Sequence, residues 1–532
     1  MKLKNVKSAG FTRREFLYVS GASLAGMALA GIPHYSFGAE KPKYGGRIRV
    51  AYRYGSAGLD AHRNQDFIDY YNYCHLYGGL TQQGPLPQVE IYPMLAKSWE
   101  VSSDGREYIF PLKQGIKFHH GKEMDSSDVK YSYDRVMNPA TRSPRAFSFR
   151  WVDAVQIIDK YQIKFKLKEP FAPFLSTLTV ANCPIIPAGS EPSGPKPAPG
   201  TGPFVLKSFV PNESTDFVRF DKYWEVDERT GDRLPYIDSL HVKKVVDENV
   251  RLVGVRTGEL EIGSSPSLRA LLESTKKPVP GVVMHYELVG NGWIWFNMSK
   301  APFDNKKVRQ AVAYAVDKKE YNKGVFWGLS EEFNHQPFRK VSRFYIPVED
   351  REVNIAKAKQ LLGEAGYPRG FKTEFLMHPV NYDLDGCQII MAQLRKIGIE
   401  ATMKVIDRAA WVRALRSGEY AITNRGDSER YDWDDAYYPF FHSSEIGKNN
   451  YSRYSNKEVD ALLEKGRLTW KTEERKPIYK KVVEIIREEV PVQYMCKTVV
   501  GNALRENVKG YVPGFGIRAF HGGGIKLMWI KD

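Results

Sequence analysis

The chain is poor in cysteine and in long apolar runs, and each shortage narrows its chemistry. Four cysteines in 532 residues, Cys74, Cys183, Cys387 and Cys496, stand far apart with no C-x-x-C. That spacing excludes the common zinc clusters and a thioredoxin-like redox pair. An oxidising compartment would allow one disulfide, between partners that the sequence does not name. After residue 32 no apolar run approaches the ~17–25 residues of a spanning helix. There is no G-x-S-x-G, no H-E-x-x-H and no phosphate-cradling glycine loop, and no carboxylate pair stands out for acid–base work. Also missing is any block of five or six like charges, so the formal charge of +16 is scattered. A nucleic-acid tail is therefore not expected. Such a balance suits an anionic membrane surface or the acidic face of another protein. Neither a cofactor nor a metal is expected, since the one adjacent pair, His119-His120, points its rings apart on most backbones and falls in a surface loop.

What is present begins with an address. Thr12-Arg13-Arg14-Glu15-Phe16-Leu17 opens an uncharged run from Phe16 to Ile32, rich in Ala, Gly and Leu. The arginine pair resembles a twin-arginine export signal, which a receptor reads and which is not an anchor. Ser36, Gly38 and Ala39 offer a signal-peptidase cut after Gly38 or Ala39; an uncleaved membrane helix is the alternative. No cysteine follows, so a lipid anchor is not expected. The signal segment 1–38 carries Lys2, Lys4, Lys7, Arg13 and Arg14 against Glu15, which leaves +12 on the remainder. An exported, soluble periplasmic protein starting near Glu40 would keep roughly 490 residues, enough for two or three domains. Its first partner would be the twin-arginine export machinery.

Strands and helices alternate from Tyr44 onward. Arg47–Tyr52 reads as a first strand, and Ile163, Phe165 and Leu167 alternate with lysines as a half-buried one. The Gly/Pro stretch 189–202 reads as a long surface loop, a candidate boundary of an inserted domain. Val308, Ala311, Val312, Ala315 and Val316 form one helical stripe, with Asp304 or Asn305 as its cap. Ile355, Ala358, Leu362 and Ala365 line a helix that Gly366 can close. Ile390, Leu394 and Ile397 line another, stopped by Gly398, and Ile478, Val482, Ile485 and Ile486 a last one, ended by Pro491. Strands at Thr373–Met377 and Thr402–Ile406 lie between them, so the construction is α/β, with no solenoid repeat.

An ordered series of phrases carries a resemblance. Met94-Leu95-Ala96-Lys97-Ser98-Trp99-Glu100, Ser103-Asp104-Gly105, Gly115-Ile116-Lys117-Phe118-His119-His120-Gly121 and Ser127-Asp128-Val129 come first. Gly200-Thr201-Gly202-Pro203-Phe204, Tyr236-Ile237-Asp238, Phe296-Asn297, Pro302-Phe303-Asp304, Val308-Arg309-Gln310-Ala311 and Glu364-Ala365-Gly366-Tyr367 follow. The series ends at Tyr454-Ser455-Asn456, Val459-Asp460 and Val508-Lys509-Gly510-Tyr511. It resembles the peptide/opine/nickel solute-binding proteins of ABC importers, family 5, over roughly residues 44–515. Most phrases also have a scaffold role: Asp104-Gly105 suits a hairpin turn, and Ser127 or Asp128 a helix cap.

The resemblance implies a two-lobed periplasmic-binding-protein fold, class II and of the large type with an extra domain, its lobes joined by a hinge. Lobe I would be 44–288 plus 496–532, with the extra domain at about 86–199, and lobe II 289–495. Chain crossings would fall near Gly290-Asn291-Gly292 and Gln493–Lys497. The implied function is an exported receptor that captures a small organic solute, foremost an oligopeptide or dipeptide, and delivers it to a membrane ABC permease as a monomer without catalysis. Opines, oligosaccharides and other anionic or polar solutes are alternatives on the same fold. A secreted hydrolase or a periplasmic chaperone-like protein is the alternative of another class.

In peptide-binding members an acid in the second lobe holds the ligand's ammonium group, ahead of an Asp-Pro-type turn. Asp432 or Asp434 resembles that turn's Asp, so Glu429 or Asp427 is the candidate acid; a solvated loop is the rival reading. Arg425 and Arg430 could instead face a carboxylate or phosphate, or simply neutralise Asp427 and Glu429. Trp293 and Trp295 follow the Gly-Asn-Gly segment, and one is expected to face the cleft while the other is core. Asn291, Trp433, Tyr54 and Gly55 at the end of the first strand, and Tyr77-Gly78-Gly79, complete the candidates.

Overall fold

The computed structural model describes residues 40–64, 66–84, 90–192, 196–378, 381–427, 430–512 and 524–532. The export signal and Glu429 therefore lie outside the described residues. Arg47–Tyr52 is a strand as its alternation predicts, with Ile48, Val50 and Ala51 fully buried. It occupies the middle of a seven-stranded sheet in the order Val282–Val289, Thr498–Arg505, Ile262–Ser264, Arg47–Tyr52, Ser239–Lys244, Ser214–Arg219, Phe204–Val210. Arg47–Tyr52 runs parallel to both neighbours. Thr498–Arg505 runs antiparallel to both of its own, so a late segment is stitched between strands of the first half.

A second sheet of five strands has the order Ile399–Val405, Phe371–Met377, Ile422–Asp427, Asn291–Phe296, Val492–Tyr494. The first three are mutually parallel, and Asn291–Phe296 is antiparallel to both neighbours. A third, four-stranded antiparallel sheet joins Glu100–Val101, Glu107–Pro111, Gln162–Leu167 and Val152–Asp159, and packs its own core of Phe110, Tyr133, Phe165 and Phe174.

Local chemistry explains most helix ends. Asn305 caps Lys306–Ala315 by accepting the Lys307 N–H at 2.9 Å, and the stripe Val308, Ala311, Val312 and Ala315 is buried. Gly366 takes the left-handed φ of +89° just past Ile355–Glu364. For Ser126–Met137 the cap is Asp125, in place of the expected Ser127 or Asp128. Its carboxylate accepts the Ser127 N–H at 2.8 Å while Asp128 reaches back to the Asp125 N–H at 3.0 Å. This reciprocal box needs the acid pair three residues apart, which moves the cap earlier.

The chain passes between the two large sheets twice. It leaves Val282–Val289, turns at Gly290 with φ +66° and enters Asn291–Phe296. It returns between Val492–Tyr494 and Thr498–Arg505. The two crossings lie side by side: Gly292 N–H donates to the Cys496 carbonyl and Met495 N–H to the Gly292 carbonyl, both at 2.9 Å. Lys497, fully buried, donates from Nζ to Asn291 Oδ1 at 3.0 Å. Among the described residues the four cysteines form no disulfide, and all but Cys74 are buried.

Candidate functional site

Strand polarity sets the place to look. In open α/β sheets, ligands meet the loops at the carboxyl ends of parallel strands. Here Met377, Val405 and Asp427 end their strands at the same edge as Asn291 and Tyr494, beside the two crossings.

Across from Ile422–Asp427, Asn291 is opposite Asp427 and Trp293 opposite Arg425. Trp293 and Trp295 do not divide between cleft and core. Two residues apart on one strand, they share a face, and their rings stack with centroids 5.0 Å apart, fully buried. Ile294 and Phe296 take the other face and pack with Val308 and Val312. The tryptophan face builds an aromatic layer with Tyr494, Phe440, Tyr451 and Trp433. Trp433 is core as well: its Nε1 donates to the Phe344 carbonyl at 2.6 Å and its ring stacks on Tyr479.

The turn that follows is an ordered set of ion pairs. Asp432 caps Trp433–Phe441, accepting the Asp434 N–H at 2.7 Å. Its carboxylate also takes Arg475 in two hydrogen bonds, 2.8 and 2.6 Å. Asp434 takes Arg467 likewise, at 2.8 and 3.0 Å. Burial pulls the Arg475 pKa down, yet the paired Asp432 outweighs it and holds the guanidinium above its ordinary range. Burial pushes the Asp434 carboxyl up, with Arg467 opposing. Arg430, also buried, bridges Asp427 at 2.6 Å and Asp435 at 3.2 Å. Asp427 and Arg430 thus neutralise each other.

Arg425 differs. Its guanidinium lies 4.4 Å from the Tyr451 ring centroid and 5.9 Å from that of Trp411. Its Nη1 is buried without a hydrogen-bond partner among the described residues, while the neighbouring acids Asp427 and Asp435 are paired with Arg430. Beside it, His378 follows the strand Phe371–Met377 and packs on Trp411 at 4.4 Å. Burial, then the positive Arg408 and Arg425, press the His378 pKa down.

The profile of the bacterial extracellular solute-binding proteins, family 5 (middle region), matches residues 90–449. The chain belongs to this family. The heme-binding protein A of Haemophilus influenzae is 31% identical over 466 residues, covering 81% of this chain and 84% of that one. The dipeptide-binding protein of Escherichia coli K12 is 28% identical, with 80% and 84% covered. The periplasmic binding protein DppA of Helicobacter pylori, solved with the peptide STSA, superposes with a TM-score of 0.76 at 26% identity, covering 92% of this chain and 99% of that one. The mixed α/β architecture is that of the two-lobed periplasmic binding proteins.

In this family 5 protein the remaining candidates divide. Tyr54 is half exposed with Arg53 over its ring. Gly55 is required sterically, because a Cβ there would come within 2.4 Å of the Asn212 backbone. Tyr77 is core, and Gly78 packs on Thr201 and Leu95. His119 is fixed by the loop at Gly200–Gly202: Nε2 donates to the Gly202 carbonyl at 3.1 Å and Nδ1 accepts the Gly200 N–H at 3.2 Å.

Several neighbours of the site escaped the sequence reading. Arg145 donates to Asn182 Oδ1 and to the Tyr70 hydroxyl, each at 2.9 Å. Burial weakens its hold on the proton, but Tyr70, Cys183 and Asp435 together reverse that, so Asp435 of the second sheet's layer is felt across the gap. The same two parts touch where the Ala172 N–H donates to the Arg467 carbonyl at 2.9 Å. Nothing in the run Arg142-Ser143-Pro144-Arg145 marks an arginine for that role. Trp411 and Tyr451 sit apart in sequence and meet only through the fold. Among the described residues no helix is long and apolar enough to cross a membrane.

Proposed function

We propose that this family 5 protein is an exported, periplasmic receptor of an ABC importer that closes two lobes on a small organic solute, with short peptides the leading class. The observation that carries the reading is the pair of crossings, Gly290–Gly292 and Met495–Lys497, hydrogen-bonded side by side between two sheets. A double connection of this kind lets two bodies rotate while keeping their register, which is hinge closure. The lobes we assign are 44–288 with 496–532, and 289–495, with 86–199 as an extra domain on the first. Relatives named for dipeptides and for heme support capture over chemistry. Arg13 and Arg14 would send the folded protein to the export machinery, and a membrane permease would receive the loaded form. Small-angle scattering on the purified monomer, before and after adding solute identified by mass spectrometry of denatured material, tests this. A smaller radius of gyration on binding is expected. Saturable binding with no change of shape would sink the hinge, and an absence of any saturable small-molecule binding would favour the chaperone-like alternative.

A further inference from the structure

We propose that the extra domain, built on the four-stranded sheet, is a latch: it grips the helices beside the second sheet and holds the two lobes together independently of the solute. The latch rests on the lobe closure proposed above and gives the extra domain a task within it. That domain lies in the chain before the first crossing, at Gly290–Gly292, and the helices it grips lie between the two crossings. Contacts between them therefore span the gap that a hinge rotation would open.

The two parts meet at two places. The hairpin turn between Glu100–Val101 and Glu107–Pro111 presents Gly105, with φ +71°, to the ring of Trp470. The fit leaves no room for a side chain, since a Cβ on Gly105 would stand 2.5 Å from Trp470 Cδ1 and 2.7 Å from its Cγ. At the second place the Ala172 N–H donates to the Arg467 carbonyl at 2.9 Å. The Arg467 guanidinium lies 5.9 Å from the Phe171 ring centroid and 6.0 Å from that of Trp151. Trp151 and Phe171 stack on each other at 5.6 Å, so the extra domain offers the cation an aromatic shelf.

Both halves are built before they meet. Trp470 lies in the connector between Lys457–Leu468 and Thr472–Glu489. Arg467 is fixed on one side of it by two hydrogen bonds to Asp434, and Arg475 on the other by Asp432 and the Gly466 carbonyl. On the extra domain, Ser102 Oγ donates to Asp104 and accepts the Glu107 N–H at 2.9 Å, while the Gly105 N–H donates to the Ser102 carbonyl at 2.9 Å. Preformed surfaces lose little conformational freedom on docking. Their contact stabilises the closed form alone, and a solute that needs this form binds more tightly in proportion to its population.

The experiment measures the radius of gyration by small-angle scattering on full-length protein freed of solute by unfolding and refolding. Binding of a mixture of di-, tri- and tetrapeptides is then followed by native mass spectrometry. Gly105→Asn, Trp470→Ala and the double variant are compared with wild type. Asparagine accepts the left-handed turn and collides with Trp470 only when the surfaces meet. Each single variant should enlarge the solute-free radius and weaken peptide binding about fivefold to tenfold, the scale of one lost aromatic contact. Gly105→Asn should cost nothing further once Trp470 is alanine, because the ring it strikes is gone; a turn that merely misfolds would cost the same in both backgrounds. Additive losses overturn the latch, as do variants that match wild type in radius and affinity while peptides still compact the protein, and the receptor reading then stands. If peptides bind but change the radius of no protein, the hinge falls and the latch with it. If no peptide binds, the peptide class falls and the solute-free radii decide the latch alone: larger radii in both single variants support it and equal radii overturn it.

Discussion

Arg425 and Arg430 leave the same short segment, five residues apart, and the fold treats them in opposite ways. Arg430 enters a lattice of matched charges, shared with Asp427 and Asp435 and followed by Asp432–Arg475 and Asp434–Arg467. Arg425 is packed against aromatic rings with an edge unbonded. The first arrangement spends polar groups on holding a turn in place. The second leaves one buried nitrogen, Arg425 Nη1, without a hydrogen bond among the described residues, near the edge where parallel strands end. Two like charges on one segment thus differ in their surroundings: among the described residues Arg430 is paired with acids and Arg425 is not.

Breaking the matched side should cost most. Asp432→Ala strands the Arg475 guanidinium, which is almost entirely buried, and should lower unfolding free energy by about 3–5 kcal/mol in a denaturant titration. A loss below about 1 kcal/mol would mean that the lattice is dispensable. His62 sharpens the comparison elsewhere, since its Nε2 is bonded to the Pro184 carbonyl at 3.0 Å and its Nδ1 is unbonded. Burial pushes its pKa down from 6.5 to about 4. The folded state therefore keeps it neutral while the unfolded chain takes up a proton below 6.5. Stability should fall as pH drops from 6.5 toward 4, by about 1.4 kcal/mol per pH unit from this group. His62→Gln should flatten that part of the profile, and an unchanged slope would acquit the residue.

Trp433→Phe removes only the indole N–H that reaches the Phe344 carbonyl and a little volume. The expected cost is about 1–2 kcal/mol by thermal or chemical unfolding, with no change in solute affinity. The smallest effect should come from the unmatched side: Arg425→Gln should stay within about 1 kcal/mol of wild type in stability, the scale of the ring contacts it gives up. A large destabilisation there would return Arg425 to the scaffold.

The scaffold was legible where one local rule decides. Arg47–Tyr52, the Val308 stripe with its Asn305 cap and Gly366 past the next helix all rest on periodicity or on one residue's backbone freedom. The Trp293/Trp295 expectation failed on the same kind of rule, because the strand's period of two sends both indoles one way. The capping box at Asp125 was hidden behind two nearer candidates. The candidate site was far less legible. Arg145 and Asn182, 37 positions apart, reach each other through the fold. Arg425 gains its character from Trp411 and Tyr451, and from acids being engaged elsewhere. Which arginine pairs with acids among the described residues is decided by three-dimensional arrangement and has no signature along the chain.

The strand Thr498–Arg505 also governs when this protein can become itself. It fills a slot between Val282–Val289 and Ile262–Ser264, pairing with the former along eight residues. Until residues 498–505 have left the ribosome, those two strands face an empty lane with their hydrogen-bonding edges bare. Contacts spanning more than two hundred positions are slow to close, and bare edges invite pairing with other chains. The nascent polypeptide thus passes through a long window in which the seven-stranded sheet is split, and Thr498–Arg505 acts as the keystone that ends it.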